Sequence, residues 1–162
     1  MKVELKRVKV CGWASQETTC FQADVWFNGR LVAHASNDGG GGSTSVHAVT
    51  GAREEFAAAA AWCAALPPMR IEGLDEDIHM TMDLYIENLI YEVEKSKEAK
   101  RWAARIAKAC RTQTLFRLVG DEKDSYRTLR VPIDDRARAW LKNKYGDKVV
   151  EIINDTLAGV AI

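Results

Sequence analysis

The sequence predicts an α+β fold in a single domain spanning residues 1–162: an antiparallel sheet built from two hairpins (about 2–36 and 113–131), packed with a long central helix (about 83–111) and shorter helices (about 51–66, 135–145 and 148–158). Three observations carry this. Two alternating stretches, Phe21 to Phe27 ahead of Asn28-Gly29 and Thr114 to Val119 ahead of Gly120-Asp121, have the period of strands running into turns. Met82, Ile86, Leu89, Val93, Ala103, Ile106 and Cys110 recur at helical spacing. No linker or internal repeat divides the 162 residues, a length that closes one ordinary core.

Lysine plus arginine (23) balances aspartate plus glutamate (23), so no overall field draws the chain to nucleic acid or an anionic membrane. Any such attraction has to come from a local patch. No run approaches the roughly eighteen apolar residues of a membrane helix, and Met1-Lys2-Val3-Glu4-Leu5-Lys6 alternates charge where a signal segment would be apolar. A cytoplasmic protein is expected, with no membrane partner. The four cysteines, Cys11, Cys20, Cys63 and Cys110, form no CxxC pair and have no histidine at ligand spacing, so reduced thiols and no metal are expected.

Taken in order, Val3 and Leu5, then Val8 and Val10, alternate with charged residues but change parity near Lys6-Arg7, which predicts a strand with a bulge. In the next hairpin a two-residue Asn28-Gly29 turn sets Phe27 opposite Arg30 and Val25 opposite Val32, and so places His34 and Ser36 on the Phe21 face. Thr50 is the expected N-cap of a helix with Glu54 and Glu55 in its first turn, Phe56, Ala60 and Cys63 inward, and Pro67-Pro68 at its end. Ala57 to Ala61 lets that helix approach a sheet closely, with Phe56 and Trp62 as its large packing groups. Met69 to Asp77 reads as a loop.

The central helical pattern is interrupted at Ser96 to Lys100, which leaves one helix or two open. Its charges are segregated: Glu72, Asp75, Glu76, Asp77, Asp83, Glu87, Glu92 and Glu94 precede a basic stretch from Lys95 to Arg117. That order complements the helix dipole, and it also aligns Lys97, Arg101, Arg105 and Lys108 as a ridge for a partner. In the second hairpin, Tyr126 to Val131 returns after Gly120 to Asp124, and Arg117, Arg127 and Arg130 are either solvated or anion ligands. Asp134 caps a short helix with Ala137, Leu141 and Tyr145 inward, and Gly146 fits its C′ position. Asp147 is expected to cap a last helix with Val150, Ile153 and Leu157 inward and Gly159 closing it.

The run Ser36-Asn37-Asp38-Gly39-Gly40-Gly41-Gly42-Ser43 leaves the first hairpin. Glycines at a strand end let backbone amides converge on an anion, and the same composition also makes a flexible connector.

With Ser15 to Ala23, Asn28-Gly29 and Ser36 to Gly42, the chain resembles a family of small accessory proteins encoded by bacteriophages and prophages. Leu115-Phe116-Arg117-Leu118, Tyr126-Arg127-Thr128 and Lys144-Tyr145-Gly146-Asp147 look like the same family, so the resemblance spans most of the chain. It brings no catalytic motif. It implies a mobile-element origin, residence in the host cytoplasm, and action by binding a host component or a host-made ligand.

One arrangement hints at catalysis. His34-Ala35-Ser36 with His79-Met80-Thr81 resembles the paired elements of two-histidine phosphoesterases, where one imidazole takes a proton, the other gives one, and hydroxyls hold phosphate. That reading needs both imidazoles within about 6 Å across a groove, while Thr81 serves equally well as a helix N-cap and His47 adds nothing decisive. Walker and dinucleotide fingerprints are absent, as are legible Ser-His-Asp and Cys-His sets, so no cofactor is expected.

Three readings follow. The favoured one is a non-enzymatic binding protein that inhibits or sequesters a host defence protein through charged surface at Lys97, Arg101, Arg105 and Lys108, without a pocket of convergent polar groups. The second is a nucleotide-signal sponge using the Gly39 to Gly42 loop, with a second copy of the chain completing the site. The third is the phosphoesterase of His34, Ser36, His79 and Thr81. Nucleic-acid binding is a weaker fourth, marked by a steep fall in affinity with salt.

Overall fold

Asn28 and Gly29, at φ +49° and +84°, form the tight turn that starts the first sheet. The computed structural model describes residues 1–70 and 77–158. Glu72, Asp75 and Glu76 of the acidic stretch, the side chain of Leu157, and Gly159 lie outside the described residues. The fold is α+β, and where the sequence suggests one domain the chain divides into two compact units, Met1–Lys95 and Ser96–Ile162. Each hairpin builds its own sheet, in place of the single sheet expected.

In the first unit, strands β1 (Val3–Val10), β2 (Phe21–Phe27), β3 (Arg30–Asn37) and β4 (Ser45–Ala48) lie side by side in chain order, all antiparallel. The bulge in β1 is where the charge parity put it: the register shifts between Lys6 and Lys9, and Arg7 takes φ +51°. A second bulge was not foreseen. Phe27 pairs with Arg30 as expected, but Val25 lies opposite Ala33 and not Val32. The extra residue reverses the parity of the rest of β3. Ala33, Ala35 and Asn37 therefore join Val25, Ala23 and Phe21 on the core face, while His34 and Ser36 lie opposite Asp24 and Gln22 on the outer face. Placing His34 and Ser36 on the Phe21 face is thus corrected, and the reason is energetic. The bulge buries two alanines and leaves the imidazole in solvent, where strict alternation would have buried polar groups. Strand β4 follows the glycine run and adds a fourth strand beyond the hairpin that the sequence predicts.

Helix α1 (Arg53–Ala64) begins at Ala52 without a side-chain cap, so Thr50 is not its N-cap. Its small residues let Ala59 and Cys63 seat directly on the sheet, and Trp62 meets Tyr85 edge-on at 5.4 Å. Helix α2 (Met82–Cys110) is one unbroken helix; its first three turns contribute Met82, Ile86 and Ile90 to the same core. All these contacts lie on one side of the sheet.

In the second unit, β5 (Thr114–Leu118) lies between β6 (Arg127–Leu129) and β7 (Val149–Ile152). Helix α3 (Asp135–Tyr145) is capped by Asp134, whose Oδ1 accepts from the Ala137 amide at 2.7 Å, and it ends at Gly146 with φ +54°. The expected helix over 148–158 is corrected: residues 146–148 form a 3-10 turn, Val149–Ile152 pair with β5, and only Ile153–Ala158 (α4) are helical. Val150, expected inward, is exposed, and Asp147 caps no helix. β-Branched Val149 and Ile152 fit a pleated surface opposite Leu118 and Phe116, where tertiary pairing overrides helical spacing. Asn154 locks this unit: buried, it accepts from the Leu115 amide at 2.8 Å and donates to the carbonyls of Cys110 (3.2 Å) and Gln113 (2.9 Å). No helix among the described residues is long and apolar enough to cross a membrane.

Candidate functional site

On the outer face of the first sheet, β2 carries a single acid, Asp24. Asp24 is 7 % exposed, and the sheet places three strands' polar groups around it. From β1, the bulge aims the Arg7 guanidinium at Asp24 Oδ2. From β3, His34 Nδ1 donates to Asp24 Oδ1 at 2.9 Å. A carboxylate only accepts, so this bond fixes the proton on Nδ1 and leaves the Nε2 lone pair of the neutral ring turned away from Asp24. Burial by itself raises the Asp24 pKa, but the hydrogen bonds from Arg7 and His34 outweigh it and hold the carboxyl below its ordinary value.

Strand β4 adds a second imidazole. His47 lies directly opposite His34, a cross-strand relation that sets Cβ atoms about 4.5–5.5 Å apart. Both side chains are exposed, and both line a groove of about 390 Å³ with Arg7, Lys9, Gln22 and Ser36. Two cations, Arg7 and Lys9, against the single carboxylate of Asp24 leave the groove positive before either imidazole takes a proton. A neighbouring hollow of about 580 Å³ shares Lys9, Gln22 and Ser36 and contains Cys11 and Cys20. Burial and the neighbouring Cys11 and Asp38 raise the Cys20 pKa, and burial pushes Cys63 up to about 11. Both are therefore poor nucleophiles.

The glycine run is an ordered lock. Asn37 Oδ1 accepts from the Gly39 amide (2.8 Å) and Thr18 Oγ1 (2.8 Å), and Asn37 Nδ2 donates to the Gly42 carbonyl (2.9 Å). The Gly40 amide bonds Asp38 Oδ1 at 3.0 Å, and the Gly41 amide Thr18 Oγ1 at 3.3 Å. The Gly39 carbonyl in turn accepts from the amides of Gln16, Glu17 and Thr18. At Gly39 (φ +89°) a Cβ would stand 2.2 Å from the Ala14 carbonyl oxygen, so close packing dictates glycine there. Three amides expected to cradle a phosphate thus serve the chain's own oxygens, and Ser36 alone of this run lines the groove beside the histidines.

The remaining sequence candidates are dispersed. His79 is exposed just after the Met69–Ile78 bridge, on no named strand, and Thr81 supplies the carbonyl that starts α2, accepting from Tyr85 N at 3.0 Å. The imidazole that the sheet pairs with His34 is that of His47. Arg101, Arg105 and Lys108 are exposed on α2, and Lys97 is half-buried. The sequence reading missed Asp24, His47 and Arg7. An isolated acid within Phe21 to Phe27 was the signal available for the first; His47 became legible only once β4 was known. Comparison with models of protein families, with curated proteins and with solved structures finds no match.

Proposed function

We propose that this chain is a binding protein that takes a phosphate-bearing nucleotide on the outer face of its first sheet. The observation that carries the reading is the Asp24 cluster: a buried carboxylate beneath a groove, bonded by a guanidinium and by an imidazole whose second nitrogen is left for another partner. Arg7 spends backbone strain of roughly 1–3 kcal/mol at φ +51° to reach that place, and strain of this kind concentrates at functional sites. Lys9, Gln22, Ser36 and His47 add donors around the same space, a set suited to phosphoryl oxygens. On the family resemblance, the ligand is a host-made nucleotide and the protein acts for a phage or mobile element by sequestering it.

Calorimetric titration of the full chain with ADP tests this. Binding is expected to weaken with added salt and to fall about tenfold or more in Lys9→Glu, with Arg101→Glu unchanged. ADP affinity equal in the wild type and Lys9→Glu would overturn the reading. A second reading, capture of an acidic host defence protein, is favoured by the exposed Arg101, Arg105 and Lys108. It predicts that Arg101→Glu, and not Lys9→Glu, abolishes capture.

A further inference from the structure

The outer-face groove contains more than binding requires. Two imidazoles stand on adjacent strands at directly opposed positions, one is held in a defined tautomer by a buried carboxylate, and two cations flank them. The hollow on the far side of Lys9, Gln22 and Ser36 extends the site beyond the room one phosphate needs. An internal phosphodiester with a nucleoside on each side fits two adjoining hollows better than a terminal phosphate does. We propose that this groove cleaves single-stranded RNA by transferring the phosphodiester to the neighbouring 2′-oxygen, with His34 as general base and His47 as general acid. This rests on the nucleotide-binding reading above and adds chemistry to it.

The roles follow from the hydrogen bonds. Because Asp24 holds the proton on His34 Nδ1, the neutral ring presents Nε2 as an acceptor, which suits the base. His34 Nε2 takes the proton of the 2′-hydroxyl as the O2′–P bond forms. The P–O5′ bond breaks, its electron pair leaves on O5′, and protonated His47 gives that oxygen a proton. The products are a 2′,3′-cyclic phosphate and a free 5′-hydroxyl; the two imidazoles end with protonation exchanged and reset through solvent. Lys9 and the outward N–H groups of Arg7 face the charge that develops on the non-bridging oxygens. Asp24 touches no reacting atom and is a positioning residue. The nucleophile belongs to the substrate, so the chemistry distinguishes RNA from DNA.

The test uses the full chain, a short single-stranded RNA carrying a fluorophore and quencher, and the same sequence with every 2′-hydroxyl replaced by hydrogen. Expected are cleavage of the RNA to fragments ending in 2′,3′-cyclic phosphate, identified by mass spectrometry, and binding of the deoxy strand without cleavage. His34→Ala and His47→Ala each lose about 100-fold or more in rate while still binding the deoxy strand and keeping the wild-type circular dichroism spectrum. RNA bound but left intact overturns the catalytic proposal and leaves the binding reading standing. Binding of neither strand overturns the catalytic proposal, and the ADP titration described above then decides the binding reading by itself. Cleavage that survives in both histidine variants assigns the activity to another site and also overturns it.

Discussion

Each unit pairs arginines with carboxylates on its sheet, and the two sets end differently. In the second unit Arg117 bonds Glu151 and donates to the Lys123 carbonyl, while Glu151 also accepts from Thr156 Oγ1. Arg127 holds both oxygens of Asp121, which also accepts from the Leu118 amide. These partners belong to neighbouring strands and turns and, for Thr156, to α4, and the result is a set of staples. In the first unit Asp24 is bonded just as fully, yet one of its partners is a histidine whose other nitrogen remains to be used. One imidazole in place of a guanidinium, and one bulge that turns it outward, separate a site from a staple.

The largest effect that breaks this contrast lies in the loop supporting the open cluster. Gly39→Ala should cost about 3 kcal/mol or more, since it combines a backbone clash with a left-handed φ, and it should appear as a lower urea midpoint. Next, Asp24→Asn should cost about 2 kcal/mol, discounted because the Arg7 side chain it leaves behind is well exposed. It should also release the His34 tautomer, read from the ring nitrogen shifts. Glu151→Gln, its counterpart in the closed set, should lower stability by about 1 kcal/mol and leave ADP affinity unchanged.

The smallest effect concerns acid. Hydrogen bonds from Arg127 and the Leu118 amide hold Asp121 down to about 2, from an ordinary value of 3.8. A depressed folded-state pKa contributes stability above the unfolded value and loses it as pH falls through the folded one, so this support is complete above 3.8 and fades toward about 2. Asp121→Asn should flatten the pH dependence of the unfolding midpoint across that window. Asp24, depressed likewise, adds support of the same sign.

What the sequence revealed depended on whether polar residues marked the backbone's phase. The β1 bulge was legible because Lys6 and Arg7 interrupt an apolar alternation, and α3 because Asp134 precedes it. The β3 bulge was silent because Leu31, Val32 and Ala33 are all apolar, so an extra residue there changes no visible pattern. Ala33 and Ala35 alternating with His34 and Ser36 held the clue. The glycine lock depends on Thr18, far away in sequence, and β7 on pairing with β5; neither partner can be read from local spacing. The site was lost with the bulge, since a one-residue slip exchanged its two faces.

The central claim is that the outer face of the first sheet, at His34 and His47, is where this protein meets its ligand. Proton NMR of the histidine rings during titration with ADP tests it most directly. The Cε1–H signals of His34 and His47 should move together and saturate, with His79 unchanged. A titration in which both stay still while the backbone amides of Arg101 and Arg105 shift would contradict the account.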